Sequence, residues 1–341
     1  MLNVVYRLVA PRRFEVQFND IDLSGKELVV RPTHLSICHA DQRYYQGIRP
    51  AEVMKRKLPM ALIHEGLGTI VHDPTGEYHS GDTVIMIPNM PTDTDPVIAE
   101  NYRLSSKFRA SSYDGFMQEH IALPKDRVVP LESSVDKEIA AFTELMSVSV
   151  HAIDRFDRFS HTRRNRVGIW GDGNLGYITA VFFKKMFPET KLYIFGVNYE
   201  KLAQFSFADG AFSVTDIPAD LYVDHAFECV GGAASQRAIE QIIAHIEPEG
   251  TISLLGVSEY PVPIYTRMVL EKGLKFFGSS RSGREDFIKT VELYGKHPDI
   301  FGYLSNIVGA RVPVRDISDM NRAFEMDIHK SIGKTIMIWD K

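Results

Sequence analysis

The rhythm of apolar and polar positions changes once along the chain, near residue 136. Before that point apolar residues fall in short runs broken by Pro, Gly and Asp. ELVVRPTHLSIC (27–38), GTIVHDPTG (68–76) and DTVIMIPN (82–89) read as strands bounded by turn residues. HSGD (79–82) supplies a turn that sets the third run close to the second. The pattern predicts a small β-rich domain, closer to a barrel than to a helical layer. From 136, DKEIAAFTELMSVSVHAIDRF spaces its apolar residues about three or four apart, which predicts a helix.

After the basic stretch HTRRNR (161–166), strands and helices alternate. VGIW, a helix over Asn174 to Met186, KLYIFG, a helix near 199–208, HAFECVG, a helix over Ala234 to His245, and TISLLGV follow one another. Apolar strands alternating with helices predict a parallel sheet covered on both faces, so the fold class is α/β. Pro188 ends the first of these helices, because proline lacks the N–H that a helix interior needs. The tail from about 311 returns to helix then strand and is expected to pack back on the first domain. The predicted organisation is a catalytic β-rich domain over 1–145, completed by about 285–341, and a doubly wound nucleotide domain over 146–284.

Gly171, Gly173 and Gly176 stand between VGIW and its helix. At this spacing the first glycine allows a tight turn. The second lets a pyrophosphate approach the backbone, and the third lets the helix lie close to the strand. The helix start, at Asn174 and Leu175, then offers free N–H groups to phosphate. The next strand ends in Gly196-Val197-Asn198, without the acid that would hold the ribose hydroxyls of NAD, and Lys201 follows. A missing carboxylate removes repulsion against a 2′-phosphate and a lysine attracts one, so NADP is favoured over NAD.

Composition narrows the class. The chain has 341 residues, 44% hydrophobic and 24% charged, enough for two cored domains. A net charge of -5 argues against a dedicated nucleic-acid binder. No apolar run reaches the roughly 18 residues of a membrane span. MLNVVYRLVAPRRFEV carries basic residues after its apolar stretch, the wrong order for a secretory signal. Two cysteines, Cys38 and Cys229, exclude a disulfide framework and a four-cysteine zinc lobe. These features predict a cytoplasmic protein of a reducing compartment.

Cys38 follows a strand, and His64-Glu65 opens the next glycine-punctuated one. A thiolate, an imidazole and a carboxylate together suit tetrahedral Zn²⁺. In this order, ahead of a glycine-loop domain, they resemble the medium-chain zinc-dependent alcohol and polyol dehydrogenases. The resemblance runs through Cys38 with Asp41, His64-Glu65 with Gly66 and Gly68, DGFMQEHIALP (114–124), ECVGG (228–232), GSSRSG (278–283) and SIGKTIMIW (331–339). It implies a GroES-like catalytic domain plus a Rossmann domain. It also implies catalytic zinc ligands Cys38, His64 and Glu144, with Glu65 as a fourth ligand that alternates with water. Asp41 would orient His64. The cofactor would meet Gly171, Gly173, Asn174, Leu175, Gly176, Gly196, Lys201, Val230, Gly231, Val257, Ser258 and Ser280. Lys334 would meet the cofactor or brace the domains.

Three departures from the family pattern stand out. Ile63 replaces the Gly of Gly-His-Glu, the cysteines of the structural zinc lobe are missing, and Ala40 replaces the hydroxyl residue that relays the alcohol proton. The relay then falls to Glu65, Tyr44 or a zinc-bound water. Longer segments, among them SICHADQRYYQG, VIAENYRLSSKFRASSYDGFMQ and GIWGDGNLGYITA, resemble one branch of the family, the ribulose-5-phosphate reductases. That branch implies NADPH reduction of D-ribulose 5-phosphate to ribitol 5-phosphate for CDP-ribitol, in teichoic acid or capsule synthesis. It further implies a homodimer and a ribitol-5-phosphate cytidylyltransferase as partner, with no role for nucleic acid or membrane. Arg43, Lys107 and Arg109 are the candidates for the substrate phosphate, because a guanidinium fork binds two oxygens. Arg49 and Arg281 are further cations. The alternative is an NAD-dependent polyol dehydrogenase of the sorbitol or xylitol type.

Overall fold

The computed structural model describes residues 1–330 and 332–341. Ser331, first residue of the closing SIGKTIMIW segment, lies outside the described residues. The chain forms two compact units, Met1–Ser147 with Ser282–Lys341, and Val148–Arg281.

In the first unit, strands Leu2–Ala10 and Arg13–Asp20 form an antiparallel hairpin joined by Met60–Ala61. A larger sheet runs in the order Val128–Pro130, Thr83–Met86, Glu65–His72, Leu28–Ser36, Lys334–Trp339, Val308–Val314. The C-terminal strand therefore lies inside this sheet. Its register decides the chemistry that follows. Glu65 pairs with Ser36, and Ser36 pairs with Ile336. Side chains alternate along a strand, so Lys334, two residues from Ile336, shares the face of Glu65. The core beneath is built from Val5, Leu8, Leu35, Ile63, Phe116, Phe324 and Trp339, all buried.

The second unit is one six-stranded, all-parallel sheet. Its order is Gly210–Ser213, Lys191–Gly196, Arg166–Trp170, Val223–Glu228, Ile246–Leu254, Lys275–Gly278. Chain order thus reverses beside Arg166–Trp170, the switch point at which doubly wound sheets bind ligands. Trp170, Phe182 and Phe183 are buried, as the apolar runs predict. Among the described residues no helix is long and apolar enough to cross a membrane.

Two helix predictions need correction. The helix expected near 199–208 is only Tyr199–Leu202, because Phe205 turns into the core against Tyr177, with ring centroids 5.0 Å apart. The helix expected over 136–156 is two, Lys137–Ala140 and Thr143–Phe159, with Asp136 capping the first through the N–H groups of Glu138 and Ile139. The edge strands Gly210–Ser213 and Lys275–Gly278 are too short to stand out by periodicity.

Candidate metal and dinucleotide sites

In the first unit, Cys38 emerges just past strand Leu28–Ser36 and caps the helix His39–Tyr45. The buried carboxylate of Asp41 reaches back from that helix. Its Oδ2 accepts from the Cys38 N–H at 3.2 Å and its Oδ1 from the Ile63 N–H at 3.0 Å. One side chain thereby ties together the two loops that carry Cys38 and His64. The same Oδ1 lies 3.5 Å from His64 Nδ1, which leaves Nε2 as the ring nitrogen able to meet an ion. Ile63, in the place of the family's glycine, has φ +71°. A β-branched residue there is an outlier costing about 1–2 kcal/mol. The Asp41 bond and the Phe116 N–H to Ile63 carbonyl bond at 2.7 Å hold it in place.

Cys38, His64 and Glu65 each present a donor atom, and these atoms lie within 4.8 Å of one another. Burial raises the Cys38 thiol above its ordinary value, opposed by the charge of His64. For His64, burial acts downward but the charges of Asp41 and Cys38 outweigh it, and its pKa stands well above the usual imidazole value. The cluster thus keeps protons that a divalent ion would displace on binding. A sulfur, an imidazole and a carboxylate at this separation fit Zn²⁺.

Glu65 is fully buried. Lys334 Nζ lies 2.8 Å from its Oε1 and 2.7 Å from its Oε2. The sequence signal for this pair was weak, because it depends on strand register between residues 269 positions apart. Glu144, in the first turn of Thr143–Phe159, stands outside the three-donor group but is buried beside it. Burial pushes its carboxyl up to about 7, with His64 opposing and Glu65 reinforcing.

The phosphate candidates separate. The Phe108 ring packs on His64 at 5.4 Å between centroids. Its neighbours Lys107 and Arg109 line a separate cavity of about 740 Å³ that also contains Asp20, Asp22, Glu27 and Asp114. Arg109 is buried, donates to the carbonyls of Asp114 and Ala122 at 3.2 and 2.9 Å, and lies over the Tyr113 ring. Its Nη1 and Nη2 are used on those carbonyls, and four acids make the cavity unfavourable to an anion. These surroundings disfavour Lys107 and Arg109 as the groups that hold a substrate phosphate. Arg43 instead stands on the helix that begins at Cys38. Burial first, then the charges of Arg43, Lys330 and Arg49 against that of Asp327, hold the pKa of His39 below its usual value. Arg49 lies 4.2 Å from the Tyr44 ring centroid, over the tyrosine proposed for the relay.

In the second unit the glycine loop has the geometry a dinucleotide requires. Gly171 has φ +130°. A Cβ on Gly176 would lie 1.9 Å from the Gly171 carbonyl oxygen, so only glycine lets the helix Asn174–Met186 approach the strand this closely. Gly173 caps that helix, and nothing lies within 4 Å of where its Cβ would be, which leaves the backbone open to a phosphate. At the end of the next strand, Gly196 faces Asp172, whose Oδ2 accepts from the Val197 and Asn198 N–H groups at 2.8 and 2.7 Å. An acid thus reaches this strand end from the glycine loop although the strand itself supplies none. Asn198 caps the short helix carrying Lys201. Val230, Gly231, Val257 and Ser258 lie in the loops after strands Val223–Glu228 and Ile246–Leu254, and Ser280 follows the edge strand Lys275–Gly278.

A GroES-like unit with a Cys–His–Glu donor set, in one chain with a 3-2-1-4-5-6 parallel sheet and its glycine turn, defines a medium-chain dehydrogenase. Residues 24–133 match the alcohol dehydrogenase GroES-like domain. The ribulose-5-phosphate reductase of Bacillus spizizenii is 54% identical over 340 residues, covering 100% of both chains. Among solved structures, S. aureus TarJ in complex with NADPH superposes with a TM-score of 0.90 at 48% identity over 100% of both chains. L-idonate 5-dehydrogenase of Escherichia coli shares the fold, with a TM-score of 0.86 at 20% identity over 99% of both chains. The chain belongs to the ribulose-5-phosphate reductase family.

Proposed function

We propose that this enzyme uses NADPH to reduce D-ribulose 5-phosphate to D-ribitol 5-phosphate. The end-to-end identity of 54% with a ribulose-5-phosphate reductase carries the reading. The gathered donors of Cys38, His64 and Glu65 support its chemistry. Those three, with Glu144 as the second carboxylate, would hold zinc, which when bound supplies a Lewis acid for the ketone oxygen. Asp41 fixes the ring of His64, and Lys334 restrains Glu65 against swinging freely. NADPH supplies the hydride. The glycine loop positions its phosphates, and the loops that carry Val230 and Val257 border its nicotinamide.

The phosphate of the substrate is assigned to Arg43. The enzyme acts as a homodimer in the cytoplasm, supplies ribitol 5-phosphate for CDP-ribitol, and works beside a ribitol-5-phosphate cytidylyltransferase. Reductase assays with ribulose 5-phosphate, run in parallel with NADPH and NADH and against xylitol and sorbitol oxidation, test the activity. A preference for NAD and an unphosphorylated polyol would overturn it. Native pull-down with the cytidylyltransferase tests the partnership, and light scattering tests the dimer.

A further inference from the structure

Glu228 ends the central strand Val223–Glu228 and is 1% exposed. A carboxylate buried to that degree needs compensation. Among the described residues no lysine or arginine forms an ion pair with it. Main-chain donors supply the compensation instead. The N–H groups of Val230 and Gly231 both donate to Oε1 at 2.9 Å, and the N–H of Gly256 donates to Oε2 at 3.1 Å. Val230 and Gly231 belong to the loop after Glu228's own strand. Gly256 belongs to the loop after the neighbouring strand Ile246–Leu254, whose Leu254 pairs with Glu228. One carboxylate therefore bridges two loops at the carboxyl ends of adjacent parallel strands.

The backbone around it is shaped to admit that carboxylate. A Cβ on Gly256 would lie 2.6 Å from both carboxylate oxygens and 2.3 Å from the Gly231 nitrogen. Gly231 has φ +73°, and its Cβ would lie 2.9 Å from the Val257 carbonyl oxygen. The loops are also latched in the other direction. The Gly232 N–H donates to the Val257 carbonyl at 2.9 Å, and Ser258 Oγ to the Gly232 carbonyl at 2.9 Å. Two large apolar side chains of these loops face outward, Val230 at 41% and Val257 at 72% exposure. In sheets of this class the carboxyl ends of the strands are where the ligand lies.

We infer that Glu228 is a positioning residue for the nicotinamide half of NADPH. Its carboxylate holds the Val230 and Val257 loops at a fixed spacing, so the two valines form one preset wall. The inference rests on the reading that these loops border the nicotinamide. Glu228 touches neither cofactor nor substrate in this role.

The test uses the full-length zinc-loaded enzyme. Glu228→Gln keeps the shape of the side chain but turns one acceptor into an NH₂ that faces a main-chain donor. Binding of NADPH is compared with binding of 2′,5′-ADP, which carries the adenylyl half and no nicotinamide, and kcat is measured alongside. The expected result is a loss of NADPH affinity of about 10- to 100-fold with 2′,5′-ADP binding unchanged and kcat reduced, since each bond to a charged acceptor counts for that order. Glu228→Asp, which keeps the charge, should recover part of the loss. Unchanged NADPH affinity and kcat would overturn the inference, and so would an equal loss for both ligands. If Glu228→Gln does not fold, Glu228→Asp, which keeps the charge but shortens its reach, must show the same selective loss in smaller degree. Val257→Trp separates the two levels. If it weakens NADPH while Glu228→Gln does not, the inference fails alone. If Val257→Trp also leaves NADPH binding unchanged, the placement of the nicotinamide fails.

Discussion

Two glutamates, Glu65 and Glu228, are each almost completely shielded from water, and the two units of the chain solve that problem differently. Glu65 is compensated by one point charge, the ammonium of Lys334, in a cluster that also contains Cys38 and His64. Glu228 is compensated by three peptide dipoles locked into strand ends. A point charge is exchangeable: a divalent ion can replace or supplement it. Fixed dipoles cannot exchange, so Glu228 has a single arrangement. The difference teaches that burial alone does not mark a ligand. What the compensating group can do marks it.

The largest expected effect comes from the exchangeable side. His64→Ala removes the imidazole donor and leaves Asp41 with only its two main-chain donors, the N–H groups of Cys38 and Ile63. Loss of Lewis-acid assistance of several kcal/mol lowers kcat/KM by about a thousandfold or more. Steady-state kinetics with metal analysis of the same preparation checks this. Full activity in a zinc-free His64→Ala protein would sink the metal assignment.

Next comes the partner charge. Lys334→Met strands the Glu65 carboxylate in a buried site, and breaking such a pair costs about 3–5 kcal/mol. Because an ion at the donors can take over the compensation, the loss should be smaller in the zinc-loaded protein. Denaturant unfolding with and without chelator reads the difference. Glu228→Gln in the same experiment should show no zinc dependence. A Lys334→Met destabilisation that zinc leaves unchanged would break the contrast between the two glutamates.

These pairs also show what the sequence could reveal. The helix Asn174–Met186 and the strand Lys191–Gly196 were legible to the residue, because apolar periodicity, Pro188 and the glycine turn all mark their ends. Cys38, His64 and Glu65 were legible as donors because their types and order are local. Lys334 could not be placed, since its partner is set by a register running through a third strand. Asp172 and Glu228 were hidden for another reason. Their role is to accept main-chain N–H groups, and main chain carries no sequence signature. The bonds of Arg109 were hidden as well, because an arginine used on carbonyls looks the same in sequence as one aimed at a phosphate.

pH should act on the two units through different groups. In the second unit His225 accepts from the Thr251 N–H at its Nδ1 and contacts the Arg163 carbonyl through Nε2, so it folds as the neutral ring. Burial, and then neighbouring His161, lowers its pKa from 6.5 to about 4. A base whose pKa falls on folding binds its proton better in the unfolded chain. Its contribution is complete above about 6.5 and is lost as pH falls toward about 4, amounting to about 3 kcal/mol at roughly 1.4 kcal/mol per unit. Unfolding free energies measured at pH 7 and pH 4, for the native chain and for His225→Asn, check it. The variant should lose this part of the acid sensitivity. An unchanged slope would show that the acid sensitivity lies elsewhere.

The smallest effect concerns Arg43, and it tests whether the exchangeable region extends to the substrate. With Lys107 and Arg109 turned into an acidic cavity, Arg43 is the remaining cation of the three, four helix positions from His39 and on the helix that starts at Cys38. A phosphate brings its own charge and leaves with the product, so its partner must be reachable from solvent, and Arg43 is half-buried where Arg109 is buried. Arg43→Ala should raise the KM for ribulose 5-phosphate about tenfold, the order of one charge-assisted bond, with kcat nearly unchanged. Turnover of unphosphorylated D-ribulose, if detectable, should not respond. A rise in the KM for NADPH with that for ribulose 5-phosphate unchanged would reassign Arg43 to the phosphates of the dinucleotide. The cations around His39 would then belong to the cofactor, and the substrate phosphate would need a partner from another part of the chain.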